Sequence, residues 1–480
     1  MRRTPFVLLV GLTLSACSPS VPVIPQPAPA EQTKASQDYT PWKAGLSKPV
    51  ADPLYPQHGN PSIDVLHYAL DLSWEPGTKL FTGTARLRLR AAADVPEIKL
   101  DLSTAMTVDA VTLDGVATTG SAADDNITVP AALAKDRYAT LEIKYHGTPK
   151  PVPMPTHRSD AEDLGLTVTA DGSLWTMQEP YGAFTWYPVN DHPSDKALYD
   201  INVTVPEGWS GVASGTPAGQ TGNTFRYTSS DPVASYLTTL AVGQYTKETA
   251  KGPRDLPVTY WYVKGRDDAM MKMIRKTPEY LAWLEERFGP YPFPSAGVVI
   301  VPSESGMETQ QMITLGTIKA ARSADNDELW EDVMIHELAH HWFGDTVGPS
   351  TWIDVWLNEG WAMWVEFHWS NKRDGLSDKE WETWIRSRDA QLRAKSGPPG
   401  KPRADSFAES NVYYCPALML HQIRKQIGDQ AFFELGKAWA AFGKNTTQDR
   451  ASFIDFVNKQ TGRDFTSLIN TWLDSPTTPK

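Results

Sequence analysis

Residues 336–340 read His336-Glu337-Leu338-Ala339-His340, and 18 residues separate His340 from the Glu of Asn358-Glu359-Gly360. On a helix, positions i and i+4 lie about 40° apart around the axis. Both imidazoles therefore project from one face, one turn apart, where a single Zn²⁺ can bridge them. His341, at i+5 from His336, points about 140° away and cannot replace His340. A catalytic zinc takes three protein ligands and keeps one position open. Glu359 is the candidate third ligand. The intervening chain is long enough to end one helix near Gly344, turn through Gly348-Pro349-Ser350 and run back as a second helix. Glu337, one step round from His336, is placed to act as general base on a water without ligating the metal. The stretch points to a zinc hydrolase with one ion on His336, His340 and Glu359.

On the N-terminal side of this stretch the pattern has a period of two. Between about 63 and 247, Ala85, Leu87 and Leu89 alternate with Arg86, Arg88 and Arg90, and Leu141, Ile143 and Tyr145 alternate with Glu142 and Lys144. Glu75-Pro76-Gly77 and Asp114-Gly115 mark turns. This predicts an antiparallel β domain. Near Asp267 the period changes to that of a helix, with Leu281, Leu284 and Phe288 on one stripe. Val298 to Val301 reads as a buried strand. Helices are expected at 327–344, 354–371, 378–395, 411–427, 429–442, 450–461 and 465–474. The fold class is α+β, a β domain followed by a mainly helical domain with one small sheet.

The first residues read as an address. Arg2 and Arg3 precede an apolar run, Phe6 to Leu14, too short to span a bilayer. The run ends in Leu14-Ser15-Ala16-Cys17, which resembles the lipobox of bacterial lipoproteins. The resemblance implies cleavage before Cys17, lipidation of its thiol, and a membrane-anchored place in the bacterial cell envelope. Residues 18–48, rich in Pro, Ala and Ser, read as a flexible tether. The expected organisation is a signal peptide at 1–17, the tether at 18–48, the β domain at 49–248 and the catalytic domain at 249–480.

The formal net charge is −12 over 480 residues, and no basic stripe is present. That excludes nucleic acid as a partner, because a binder must neutralise phosphates. The 18 Trp and 17 Tyr read as core and interface fillers. With Cys17 used for lipid, Cys415 has no disulfide partner.

The motif and its flanks, His336-Glu-Leu-Ala-His-His-Trp-Phe-Gly-Asp345 and Trp356-Leu-Asn-Glu-Gly-Trp-Ala362, resemble the M1 family of zinc aminopeptidases. The resemblance covers about residues 50–475 and implies a saddle-shaped N-terminal β domain before a thermolysin-like catalytic domain. Ser305-Gly306-Met307-Glu308-Thr309 is similar to the family's Gly-x-Met-Glu-Asn strand, which binds the peptide. Gly306, Met307 and Glu308 inherit that role. Glu308 falls on the carboxylate that binds the substrate's free α-amino group, while Ser305 and Thr309 depart from the pattern. Thr176-Met177-Gln178-Glu179-Pro180 places a second amine-binding group on Glu179, with Gln178 as the alternative one register away. Val412-Tyr413-Tyr414-Cys415-Pro416-Ala417 resembles the family's Tyr-x-Lys-Gly-Ala and puts the oxyanion-binding phenol on Tyr413, with Tyr414 as its neighbour. Many family members continue with further domains that cap the site; this sequence stops soon after Trp472, and a more open cleft is expected.

The resemblance implies an aminopeptidase acting on peptides with a free N-terminus. A thermolysin-type endopeptidase is the alternative, and a binding lipoprotein without catalysis a third reading. Glu308 and Glu179 discriminate the first two, since an endopeptidase has no use for a carboxylate that binds a free amine. The presence of Glu337, the three ligands and Tyr413 argues against the third.

Overall fold

Alternation of side chains builds the first half of the molecule, seen in a computed structural model that describes residues 38–156, 161–317 and 327–480. The leader with Cys17, and the tether as far as residue 37, lie outside the described residues. In the strand Leu80–Ala91, Phe81, Ala85, Leu87 and Leu89 are buried, and Arg86, Arg88 and Arg90 take the opposite face. This strand is one of eight in a sheet ordered Thr216–Thr221, Thr224–Val233, Ala197–Thr204, Ile63–Glu75, Leu80–Ala91, Tyr138–Gly147, Met106–Leu113 and Val116–Thr118. Neighbours are antiparallel with one exception: Ile63–Glu75 and Ala197–Thr204 run parallel. A parallel pair needs a long crossover, and here the other strands of the domain fill it. The expected turn at Asp114-Gly115 is a two-residue hairpin with positive φ at both positions (49° and 76°), the backbone that favours Asp-Gly.

A five-stranded sheet, Ser210–Ala213, Leu240–Gly243, Leu174–Met177, Asp163–Val168 and Val152–Pro153, faces the second half. A smaller sheet of Val95–Asp101, Asn126–Leu133 and Ser121–Ala123 completes the domain. Residues 40–48, expected as tether, join it. A helical turn at Thr40–Gly45 lies on the large sheet, where the Arg88 guanidinium stacks 3.8 Å from the Trp42 ring.

The second half begins with the strand Thr246–Lys251, inside which the expected junction at 248–249 falls. Its sheet runs Thr246–Lys251, Pro257–Tyr262, Ala296–Val301, Ile313–Gly316 and Gly306–Met307. The expected buried strand is Ala296–Val301, with all six residues buried. Around the sheet lie helices α1 (Asp268–Ile274), α2 (Thr277–Phe288), α3 (Asp327–His340), α4 (Trp356–Asp374), α5 (Asp378–Ser396), α6 (Asn411–Ile427), α7 (Asp429–Phe442), α8 (Arg450–Thr461) and α9 (Thr466–Asp474). Trp342, Trp356, Trp361 and Trp439 are fully buried in the core of this half, so these tryptophans are filling rather than surface.

Helix α3 stops at His340, four residues before the expected end. A π turn follows at His341–Asp345, because Phe343 (φ −128°, ψ 75°) and Gly344 (φ 149°) leave the helical region. The chain then makes a short strand, Val347–Pro349, paired in parallel with Thr446–Gln448, and a turn at Trp352–Asp354 before entering α4. Helix α4 packs against both α3 and α6. At Gly360 a Cβ would lie 2.5 Å from Cβ of Pro416, so a glycine is needed for α4 and α6 to approach. Among the described residues no helix is long and apolar enough to cross a membrane.

Candidate active site

Helices α3 and α4 bring His336, His340 and Glu359 together beneath a cleft of about 350 Å³ between the two halves. One carboxylate oxygen of Glu359 faces both rings: Oε2 is 3.2 Å from His336 Nε2 and 3.4 Å from His340 Nε2. The other nitrogen of each ring is held by an acceptor. His336 Nδ1 donates to Glu366 Oε2 at 3.0 Å, and His340 Nδ1 to the Phe343 carbonyl at 3.1 Å. These partners hold the Nδ1 side of each ring and turn both Nε2 atoms toward Glu359. Two ligands about 2.0–2.1 Å from a tetrahedral zinc stand about 3.3 Å apart. The Glu359 distances match that spacing, and the donor set is the His₂Glu type of catalytic zinc.

The charge of the cleft makes the same point. Six carboxylates line it, from Glu179, Glu304, Glu308, Glu337, Glu359 and Glu366, and among the described lining residues there is no Lys or Arg. Burial pushes the Glu337 carboxyl up to about 8 and also raises that of Glu308. Burial pulls His340 down, but Glu308 and Glu359 outweigh it and bring the imidazole up to about 9. Against its own burial, Glu359 is held well below the usual carboxylate range by His340 and His336. A site that raises its imidazoles and buries this many acids is built to receive positive charge.

The other predicted residues converge here. The Glu337 carboxylate and that of Glu308 stand within 4.8 Å of each other and of His340. Gly306 is what makes room: a Cβ there would overlap the Glu337 carboxylate. Met307 is buried in the cleft wall beside it. From the first half comes Glu179, whose carboxylate lies within 4.8 Å of those of Glu308 and Glu359. Gln178 turns the other way. Its Nε2 donates to the Ser235 and Thr238 carbonyls at 2.8 and 2.6 Å, and its Oε1 accepts from Trp186. Tyr413, near the start of α6, lines the cleft and lies over His336 with ring centres 5.9 Å apart. Tyr414 packs instead against Phe367 and Trp384. His341 points away as expected, with its Nδ1 2.9 Å from the Tyr291 hydroxyl.

Glu366 escaped the sequence reading. It stands seven residues after Glu359, two turns along the same face of α4, and that spacing was the available signal. Glu304, at the rim, had none.

The Peptidase family M1 domain model matches residues 273–472, and the Peptidase M1 N-terminal domain model matches residues 64–237. The chain belongs to peptidase family M1. An M1 zinc metallopeptidase from Deinococcus radiodurans is similar in structure, with a TM-score of 0.78 at 27% identity, covering 89% of this chain and 97% of that one. A mutant of that enzyme, bound to a Tyr-Ser-Ala substrate, superposes with a TM-score of 0.80. Among curated relatives, the tricorn protease-interacting factor F2 of Thermoplasma acidophilum is 26% identical over 73% of this chain and 43% of its own length. Aminopeptidase B of Rattus norvegicus is 28% identical over 64% of this chain and 50% of its own. The chain thus spans half or less of the length of these curated relatives. M1 membership identifies the ion this donor set would take as zinc.

Proposed function

We propose that this chain is a zinc-dependent aminopeptidase that releases the N-terminal residue from peptides with a free α-amino group. The convergence of Glu179 and Glu308 on Glu359 carries the proposal. Neither acid is needed to complete the His₂Glu ligand set, and both stand where a substrate ammonium would be paired. A carboxylate pair at a fixed distance from the metal counts off one residue from the chain end. A thermolysin-like endopeptidase would have no use for it. The tripeptide bound to the Deinococcus relative supports this reading.

His336, His340 and Glu359 would hold one Zn²⁺, which when bound supplies a Lewis acid that polarises the scissile carbonyl and acidifies a water. Glu308 and Glu179 hold the ammonium and orient the first residue. Glu337 takes the proton of the attacking water at its carboxylate and passes it to the leaving nitrogen. Tyr413 donates its phenolic proton in a hydrogen bond to the developing oxyanion. Glu366 fixes the His336 ring.

The test is a panel of aminoacyl fluorogenic substrates, free and N-acetylated, with and without chelator, and with Glu337→Ala. Expected are hydrolysis of free substrates only, loss with chelator, and a fall of about 10²–10⁴ in kcat for Glu337→Ala. Equal cleavage of blocked and free substrates would reject the aminopeptidase; chelator-insensitive cleavage would reject the metal.

We also propose that Cys17 carries a lipid anchor holding the enzyme in the bacterial envelope, on the strength of Leu14-Ser15-Ala16-Cys17 alone. Detergent partitioning of wild type against Cys17→Ala tests it, and equal partitioning would reject it.

A further inference from the structure

The 18 residues that link His340 to Glu359 belong to the catalytic half, yet the β domain grips them at three points. At the first, Lys196 is only 1% exposed and its Nζ donates to the Asp345 carbonyl at 2.6 Å, with the Thr346 carbonyl at 3.5 Å. Further along, Asp52 Oδ2 accepts from the Trp352 N–H at 2.7 Å. At the far end, the Tyr236 hydroxyl accepts from Asn358 Nδ2 at 3.2 Å, and its ring packs edge-on against Trp352 at 4.8 Å.

Two of the three grips lie beside part of the ligand set. Lys196 holds the exit of the π turn His341–Asp345, and that turn supplies the Phe343 carbonyl that orients His340. The turn is threaded tightly against the ligand, since a Cβ on Gly344 would lie 3.2 Å from His340 Nδ1. Tyr236 holds Asn358, the residue immediately before Glu359. A buried ammonium is a costly way to dock two domains, because apolar side chains of the same volume do it at least as well. Burial pulls the Lys196 pKa down to about 8, which is the sign of that cost. An ammonium fixes two carbonyl oxygens in place, which an apolar side chain cannot do.

We propose that Lys196, together with Tyr236 and Asp52, is a positioning residue for the metal centre: the β domain sets the spacing of His340 and Glu359 and thereby the affinity for the ion. The proposal rests on the metal reading of the site. It separates from simple domain docking because docking would govern stability and leave metal affinity untouched.

The experiment measures zinc affinity of the full chain by competition with a chromophoric chelator, and the visible spectrum of the Co²⁺-loaded protein. It compares wild type, Lys196→Met and Tyr236→Phe, with folding checked by circular dichroism. Lys196→Met is expected to raise the zinc dissociation constant about 10- to 100-fold, in the range of lost outer partners of metal ligands, and to shift the Co²⁺ bands. Tyr236→Phe is expected to raise it by roughly 3- to 10-fold, and carries the test if Lys196→Met does not fold. Dissociation constants within twofold of wild type in the folded variants, with a lowered urea midpoint, would overturn the proposal in favour of docking. A wild-type chain that binds no zinc would overturn the metal reading itself, which keeps the two failures distinct.

Discussion

The β-domain framework and the cleft bury their acids in opposite ways. Away from the cleft, the deep carboxylates of the β domain are met by donors. Asp64 takes two bonds from Arg90, at 3.0 and 2.7 Å. Asp101 accepts from the N–H groups of Gly59 and Asp191, both at 3.0 Å. Asp191 in turn accepts from Gly182 and Phe184 and from the Ser235 hydroxyl. In the cleft, buried carboxylates converge on one another and on two imidazoles, and Glu308 Oε1 has no hydrogen-bond partner among the described residues. Satisfied buried acids such as Asp64 and Asp101 tie loops to strands. An acid such as Glu308, crowded by other acids and with one oxygen unpartnered, is held at a cost in stability, and such a cost marks a site kept for function.

This contrast can be broken by exchanging what each kind of acid is expected to do. Glu308→Gln should lower kcat/KM for free aminoacyl substrates about 10- to 100-fold, the value of a charge-assisted bond to the ammonium. It should not lower the melting temperature of the metal-free protein, since it removes one of several crowded carboxylates; a destabilised variant with normal kinetics would invert the contrast. Asp101→Ala should do the reverse. It strands two buried N–H groups and should cost about 2–4 kcal/mol in urea unfolding, with kcat of the folded enzyme unchanged.

A gradual, pH-dependent effect concerns two imidazoles, His368 on α4 and His421 on α6, a third kind of buried titratable group. Burial, with Arg424 adding to it, depresses both His368 and His421 to about 4. Below pH 6.5 the unfolded chain binds protons that the folded protein refuses, so stability is full above that pH and falls as the pH drops toward 4. Thermal melts across this window should show the loss, on the order of 2 kcal/mol per histidine, and His421→Gln should flatten the slope. A melting temperature flat from pH 6.5 to 4 would reject it.

What the sequence revealed follows from how local each relation is. The helix positions of His336, Glu337 and His340 depend on spacing within a single turn, and Glu359 on a countable loop. The strand pattern around Leu87 and Leu141 shows because a strand exposes its period in a few residues. Gln178 and Glu179 could not be separated in the same way: both neighbour a strand end, and the choice is made by Ser235 and Thr238, some sixty residues away. The turn at Thr40–Gly45 was hidden because its anchor, Arg88 over Trp42, lies on another strand. The parallel pairing of Val347–Pro349 with Thr446–Gln448 joins segments about a hundred residues apart. The premature end of α3 was hidden for a subtler reason. Gly344 marked the end of the helix, but the backbone already leaves it by Phe343, whose carbonyl accepts from His340 Nδ1.

The contact between Gly360 and Pro416 has a mechanical consequence. It leaves no slack between α4 and α6, so Glu359 and Tyr413 ride on one stiff block. The carboxylate ligand on α4 and the phenol that lies over His336 are therefore held at a fixed separation.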